Sequence, residues 1–335
     1  MEGCDWDSLV FDYGDYGVSD PSHPSLFSQV PTPPQSLDGD DSSKSSDQVV
    51  SVSTTFFPGA QTHPLPPDLT LLSADAVFFY VHSHVLLGAS DNSFLGLVRT
   101  PPITPRPLAT NPDGTPADTQ PILKVPEQST VLNVILHAVY DMSCAHYSPT
   151  LDILSTAIDR FPAYGLQPAA RIKPQNPLYS LLLSYAPLQP LELYALAAAH
   201  DLNELAVTTS SHLLGYPLAT LTDEMATRIG PIYLKRLFFL HFGRVEALKR
   251  ILLPPPHPHP PTPWCDFTEQ KKLTRAWALA SAYLAWDARP DLPASSMEAA
   301  LRPLGDHLTC DLCRHALDER VKNLIVQWTI IRHTI

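Results

Sequence analysis

The sequence has few of the residues from which common catalytic and redox motifs are built. Only 13 of its 335 residues are glycine, and it contains no glycine-rich phosphate loop, no Gly-x-Ser-x-Gly elbow and no His-Glu-x-x-His pair. Its five cysteines are odd in number and scattered along the chain, which is not the pattern of a disulfide framework. We therefore expect a protein that is not an enzyme and carries no structural disulfides.

Long apolar runs and an excess of basic charge are also missing. The most apolar stretch, 178–199, is broken by Pro187, Pro190 and Glu192, so it falls short of the roughly 20 apolar residues that cross a bilayer. The first twenty residues are acidic, unlike a secretion signal. The net charge is −12, which disfavours binding to phosphate backbones. We expect an intracellular protein, nuclear or cytoplasmic, with no membrane and no direct nucleic-acid partner.

Residues 1–65 are rich in Ser, Pro and Asp and show no sustained hydrophobic period. Such a segment buries too little apolar surface to offset the entropy of ordering, so we predict a disordered acidic tail. The segment Asp5–Tyr16 mixes acidic and aromatic residues and is a candidate for folding onto a partner's groove. The alternative, a solvated tail with incidental aromatic residues, stays open.

The next region alternates between strand and helix patterns. Strands are predicted at Leu69–Leu72, Ala76–Val81 and Ile122–Val125, with turn chemistry at Ser73–Asp75. After His82 the spacing becomes helical, and Ser90 or Asp91 is predicted to cap a short helix through Val98. Residues 99–121 form a Pro/Thr-rich stretch that predicts a mobile loop. Helices are then predicted over 131–139, capped by Ser129, and 151–161.

From Leu191 onward the pattern is almost entirely helical. Capping-box spacings predict helix starts at Asp201 with Glu204 and at Ser295 with Glu298, and Thr222 and Thr268 are single caps. Gly230 and Pro231 predict a break between two helices, and Gly243 predicts the end of the second. The last helix carries an apolar stripe that predicts a core face, namely Cys313, Leu317, Val321, Leu324 and Trp328.

The order of these elements resembles the BTB/POZ domain. The matching segments are Asp68–Leu72, Val77–His82 with Val85, Leu86, Ser90 and Phe94, then Ile122–Pro126, Leu136–Tyr140, Leu193–Leu205 and His212. The resemblance covers about residues 66–216. It extends to a group of fungal BTB-domain proteins through segments like Tyr233–His241, Arg275–Ala280 and Cys310–Cys313.

The resemblance implies a fold and a function. We expect an α+β BTB/POZ-like domain over 66–216, with a small sheet flanked by helices, followed by an all-helical domain over 217–335. The implied function is a non-enzymatic scaffold or adaptor with protein partners and a homodimer formed through the BTB domain, although partner identity and oligomeric state stay open. One alternative is a cullin ubiquitin-ligase adaptor, which the lack of a Glu between Leu97 and Glu127 disfavours. The other is a transcription-associated scaffold that uses the acidic tail.

No residue is assigned to a catalytic, cofactor or metal site, but one metal hypothesis is left open. Cys310 and Cys313 have the spacing of a thiolate ligand pair. Cys265 and one histidine among His257, His259, His307 and His315 could complete a structural zinc site. The alternative places Cys313 in the core of the last helix as a free thiol.

Other chemistry-bearing residues have structural interpretations. His82 is expected to be a structural residue at the strand-to-helix junction, with His84 exposed. Cys144 and His146 lack an identifiable orienting partner for nucleophilic chemistry. A basic cluster of Lys235, Arg236, Arg244, Lys249 and Arg250 is either a docking patch or a solvated helix face. Four threonines that precede proline are candidate phosphorylation sites, at positions 32, 100, 104 and 115.

Overall fold

A computed structural model describes residues 51–98 and 122–335. This part of the chain is mixed α+β and mostly helical, with one small sheet, so the coarse fold class is confirmed. The acidic segment at Asp5–Tyr16, the predicted loop at 99–121 and the four candidate phosphorylation sites lie outside the described residues, as does the predicted tail up to residue 50.

The described strands are β1 (Ser51–Val52), β2 (Leu69–Leu72), β3 (Val77–Val81) and β4 (Ile122–Lys124), arranged in the order β1-β3-β2-β4. β2 and β3 form an antiparallel hairpin, whereas β1 pairs parallel with β3 and β4 pairs parallel with β2. The predicted strands and turn are thus confirmed. In the turn, the Ser73 hydroxyl donates to Asp75 at 2.6 Å, and Ala76 adopts a left-handed φ of 60°.

Of the described α-helices, the first lies between β3 and β4 in the chain, and the other ten follow β4. Their bounds are α1 (Ser83–Ala89), α2 (Ser129–Val139), α3 (Leu151–Arg160), α4 (Pro168–Arg171), α5 (Pro177–Leu183), α6 (Pro190–Ala199), α7 (Asn203–Ser210), α8 (Asp223–Leu252), α9 (Phe267–Trp286), α10 (Ala294–Leu301) and α11 (Asp311–Ile330). The predicted helix at 91–98 is wrong. This stretch forms turns because Ser93, Phe94 and Leu95 adopt left-handed φ angles of 57°, 52° and 61°.

The end of the predicted tail is also wrong. Residues 51–65 belong to the folded part, where β1 pairs with β3 and the Phe56 side chain is fully buried. Phe56 lies in the same core as Phe79, with their ring centroids 6.3 Å apart. The sequence did not predict β1, because a two-residue strand has no detectable period. It did not predict the burial of Phe56 either, because the residues around it are mostly polar.

Three predicted helix starts differ from the observed ones, and a fourth predicted cap, Ser129, is the first residue of α2. Asp201 does not cap α7, because its backbone is left-handed and its carboxylate accepts the Tyr233 hydroxyl at 2.7 Å. Ser295 lies inside α10, which begins one residue earlier and has Pro293 at its cap position. Asp266 caps α9 instead of Thr268, accepting from the Glu269 N–H at 2.9 Å. The Thr222 cap of α8 is confirmed.

Helix α8 runs through one predicted boundary and is interrupted at the other. Gly230 has φ 74° and ψ 164°, so the predicted break before Pro231 is confirmed. Gly243 does not end the helix, which continues to Leu252. The buried stripe of this helix continues past the glycine through Leu240, Arg244, Leu248 and Leu252, so packing outweighs the local glycine signal.

The buried apolar residues form two clusters, and α8 contributes to both. The first cluster includes the sheet and the helices up to Leu240 in α8. The second includes Leu248 and Leu252 at the end of α8 together with α9, α10 and α11. All five residues of the predicted stripe in α11 are buried in the second cluster, which confirms that prediction. The division into domains at 216/217 stays a prediction.

Candidate metal centre

Four side chains from three places in the sequence meet beside the second core. His259 lies in the Pro-rich run between α8 and α9, and Cys265 follows it in a tight turn closed by paired backbone hydrogen bonds with Thr262. Cys310 occupies the cap position of α11, and Cys313 lies in the first turn of that helix. The proline run keeps the loop extended, and the turn redirects Cys265 toward α11.

The distances between the four donor atoms fit one tetrahedral metal ion. The sulfurs of Cys265 and Cys313 lie 3.7 Å apart, and His259 Nε2 lies 3.4 Å from Cys310 Sγ and 3.3 Å from Cys313 Sγ. All four atoms lie within 4.8 Å of one another. Zn–S and Zn–N bonds of about 2.3 Å and about 2.0 Å at tetrahedral angles require separations of about 3.8 Å and about 3.5 Å. The three separations given above come close to these values, and the remaining three lie within 4.8 Å.

The His259 ring is oriented for metal binding by its other nitrogen. Nδ1 lies 2.7 Å from the carbonyl oxygen of Pro260, and a carbonyl can only accept. In the neutral imidazole this shorter contact favours a proton on Nδ1 over the 3.4 Å contact with Gln270 Nε2, and the lone pair of Nε2 is then directed at the two thiols. Metal-binding histidines are commonly held by such a backbone contact.

The thiols differ in their protonation. Backbone N–H groups at the start of α11 donate to Cys310 and lower the pKa of its thiol to about 7. Burial raises the pKa of Cys265, and burial together with the neighbouring Cys265 raises the pKa of Cys313 to about 12. The protein thus brings three thiols together but stabilises the thiolate form of only one of them, Cys310. A divalent cation among them would stabilise the other two as thiolates.

This geometry selects one of the four histidines that the sequence left as alternatives for the fourth ligand. His259 belongs to the cluster, whereas His257, His307 and His315 do not. His315 pairs with Glu319 at 3.4 Å, and His307 lines a cavity of about 330 Å³ together with Cys265, Cys310 and Cys313 but supplies none of the four donor atoms. Three sulfurs and one nitrogen would fill all four positions of a tetrahedral ion, which is typical of structural rather than catalytic zinc.

The two histidines of the strand-to-helix junction have the predicted environments. His82 is 1% exposed; its Nε2 lies 2.8 Å from the Leu65 carbonyl and its Nδ1 lies 2.8 Å from the Tyr140 hydroxyl. Its structural role is confirmed. His84 is exposed, as predicted, and its Nε2 lies 3.3 Å from Nε2 of His63.

Two further candidates have no reactive arrangement. Cys144 is buried, and burial raises the pKa of its thiol, which disfavours the nucleophilic thiolate; His146 stacks on Tyr147 instead.

The predicted basic cluster is not one surface. Arg244 is buried and donates to the carbonyls of Pro290, Ile331 and Arg332. Lys249 pairs with Glu246 at 3.1 Å.

None of the described helices combines the length and apolar character that a membrane crossing requires. The chain matches no protein-family model, no curated protein and no solved structure.

Proposed function

We propose that His259, Cys265, Cys310 and Cys313 bind one Zn²⁺ ion, and that this ion holds together the second core of an interaction scaffold. The observation that carries the zinc proposal is the convergence of four donor atoms within 4.8 Å. Three sulfurs and one imidazole nitrogen in tetrahedral arrangement favour Zn²⁺ over oxygen-seeking cations.

The ion would fix a segment that has little secondary structure of its own. The chain between Leu252 and Phe267 contains no helix and only one isolated bridge, yet it supplies His259 and Cys265. Zn²⁺ would tie this segment to the start of α11. Binding energies of structural zinc in small peptides reach about 10 to 16 kcal/mol, so the folded state of this region would depend on the metal.

The proposed biological role is a non-enzymatic scaffold of the BTB type. Support for the BTB resemblance comes from the hairpin of β2 and β3 that leads into His82, from β4, which pairs with β2, and from the consecutive helices α6 and α7. Support for partner binding comes from α8, where Phe238, Phe239 and Phe242 expose 48%, 63% and 63% of their area. Contiguous exposed aromatic residues mark interaction surfaces.

Metal analysis of the purified full chain tests the zinc proposal. We expect one zinc per chain, and we expect Cys310→Ser and Cys313→Ser variants to lose it. The matched control is His307→Ala, an exposed histidine beside the cluster that is not one of the four donors. A chain purified without chelator that contains no zinc and takes up none on addition would contradict the proposal.

Affinity purification of the full chain followed by mass spectrometry tests the scaffold role. We expect specific protein partners whose recovery falls when Phe238, Phe239 and Phe242 are changed together to Ser. Cullin subunits among the partners would favour the adaptor alternative, and transcriptional coregulators would favour the transcription-associated alternative. Recovery of no protein above the level of an unrelated bait would contradict the scaffold role.

A further inference from the structure

The exposed side of α9 is apolar where a helix of a folded core is normally polar. Leu279, Tyr283 and Trp286 expose 75%, 71% and 94% of their area. Their spacings of four and three residues place them on one face of the helix. Ala278 and Ala282 lie exposed beside them and leave room for a second helix to approach.

The opposite face of α9 is already used. Leu273, Trp277 and Leu284 are buried in the second core, and the Trp277 indole N–H donates to the Leu252 carbonyl at 2.9 Å. The helix is therefore apolar on two sides over its second half, a pattern typical of a helix that is buried on both sides. One side has its partner within the chain, and the other has none among the described residues.

Two opposite charges flank the exposed apolar face. Arg275 lies one turn before Leu279, and Asp287 lies one turn after Tyr283. Both are exposed, and neither has an ion-pair partner within the part of the chain that the structure describes. On the helical wheel they lie on either side of the line through Leu279 and Tyr283.

This arrangement is complementary to itself under two-fold symmetry. When two α9 helices cross antiparallel about the midpoint between Leu279 and Tyr283, Leu279 of each copy faces Tyr283 of the other. The same operation brings Arg275 of each copy against Asp287 of the other. A two-fold interface repeats every contact, so both the apolar contacts and the ion pairs form twice.

We propose that the exposed face of α9 binds α9 of a second copy of this chain in an antiparallel two-fold pair. The partner is argued from charge complementarity. A face whose cation and anion lie at positions that the two-fold axis exchanges matches its own copy better than it matches a partner of uniform charge. This dimer would lie on the helical region rather than on the BTB-like region, and it does not depend on the zinc proposal.

Charge reversal in the full chain as purified tests the pairing. We expect the wild-type chain to dimerise in sedimentation equilibrium. Arg275→Glu places a like charge against Asp287 at two symmetric positions and should weaken the dimer about tenfold. The double variant R275E with Asp287→Arg exchanges the charges and should restore the wild-type dissociation constant. Restoration is not expected from two unrelated surface changes.

A second pair of variants separates this surface from other dimer surfaces. Tyr283→Ser with Trp286→Ser should make the chain monomeric at concentrations where wild type is dimeric, and Leu188→Ser is the matched control because it removes an apolar residue that is 74% exposed and lies between α5 and α6. A wild-type chain that stays monomeric would overturn the proposal. So would a dimer that is unaffected by the Tyr283 and Trp286 changes, or one that the double charge reversal fails to restore.

Discussion

Nε2 of His259 lies 3.3 Å from Sγ of Cys313, although the two residues are 54 positions apart and belong to different elements. The contact joins the Pro-rich run to the first turn of α11. It forms only when the chain between α8 and α9 folds back over the second core. The proposed zinc ion would fix this long-range contact by coordinating both side chains.

The first prediction concerns the histidine ligand. We expect His259→Ala to lower zinc affinity at least about 100-fold, because it removes a ligand whose outer-shell partners alone are worth about 10- to 100-fold. His257→Ala is the control, since it lies two residues away in the same proline run but outside the cluster. Titration with Co²⁺ checks this: the wild type and H257A should show thiolate-to-cobalt absorption for a tetrahedral site. Equal affinity of H259A and H257A would contradict the assignment.

The second prediction concerns Asp75 and the start of α2. The Asp75 carboxylate accepts from the Ser129 N–H at 2.8 Å and from its hydroxyl at 2.6 Å, so it caps a helix 54 residues later in the chain. Asp75→Asn should cost about 1 kcal/mol of unfolding free energy, in the range measured for helix caps. The exposed Asp306→Asn is the control, expected to stay within about 0.5 kcal/mol of wild type.

The same carboxylate predicts a pH dependence. Partial burial acts to raise the pKa of Asp75, but the hydrogen bonds from Ser129 and Ser73 outweigh it and hold the pKa below its usual value of 3.8. The stabilisation from this ionised group is therefore complete above the unfolded-state pKa and is lost as the pH falls through the lowered folded-state pKa. The stability difference between wild type and D75N, measured by urea denaturation, should shrink below about pH 4. A difference that does not change down to pH 2 would contradict the role of the charge.

Local patterns predicted the elements whose stabilising contacts are local. The hairpin of β2 and β3 was predicted because its apolar runs are joined by a Ser-Ala-Asp turn, and the stripe from Cys313 to Trp328 was predicted because one face of α11 is buried along its length. Gly230 with Pro231 predicted the break in α8 for the same reason. The break depends only on the backbone conformation of Gly230 and on the proline that follows it.

Long-range contacts decided what the sequence did not predict. Ser129 was predicted to cap α2, but it is the first residue of that helix and Asp75 supplies the cap from the hairpin turn. The choice of His259 among four histidines depends on how the proline run folds against α11, which no local spacing encodes. The exposed face of α9 was not predicted because its apolar residues alternate in the sequence with those of the buried face, so spacing alone does not show which of them are exposed.

The third prediction concerns Arg320 in the second core. The residue is 8% exposed, and its guanidinium donates to the Pro254 carbonyl at 2.8 Å and to the Ile251 carbonyl and lies over the Trp277 ring. These bonds satisfy carbonyls at the end of α8. Arg320→Met should cost about 2 to 3 kcal/mol, the range for hydrogen bonds to charged groups plus unsatisfied carbonyls.

The control for Arg320 is on the same helix. Arg314 is half exposed and pairs with Asp311 within the first turn of α11, so Arg314→Met should cost under about 1 kcal/mol. Guanidinium denaturation followed by tryptophan fluorescence checks both variants, because Trp277 and Trp328 are buried in this core. Equal midpoints for the two variants would show that the Arg320 contacts add nothing.

The last prediction concerns the coupling between His82 and Tyr140. The Tyr140 hydroxyl accepts from the His82 backbone N–H at 2.8 Å and donates to Nδ1 of the same residue, while the Nε2 proton bonds the Leu65 carbonyl. Burial raises the pKa of Tyr140 to about 12, so the hydroxyl keeps its proton near neutral pH. Three segments, the stretch before β2, the end of β3 and the end of α2, are thus joined through one imidazole.

A double-mutant cycle of His82→Ala and Tyr140→Phe should therefore give a coupling energy of about 1 kcal/mol in urea denaturation, since the two side chains share a hydrogen bond in the first core. The cycle of His84→Ala with Tyr140→Phe is the control. His84 lies two residues along, is exposed and contacts His63 instead, so its coupling to Tyr140 should be near zero. A His82 coupling as small as that of His84 would mean that the imidazole fills space at this junction without linking the three segments.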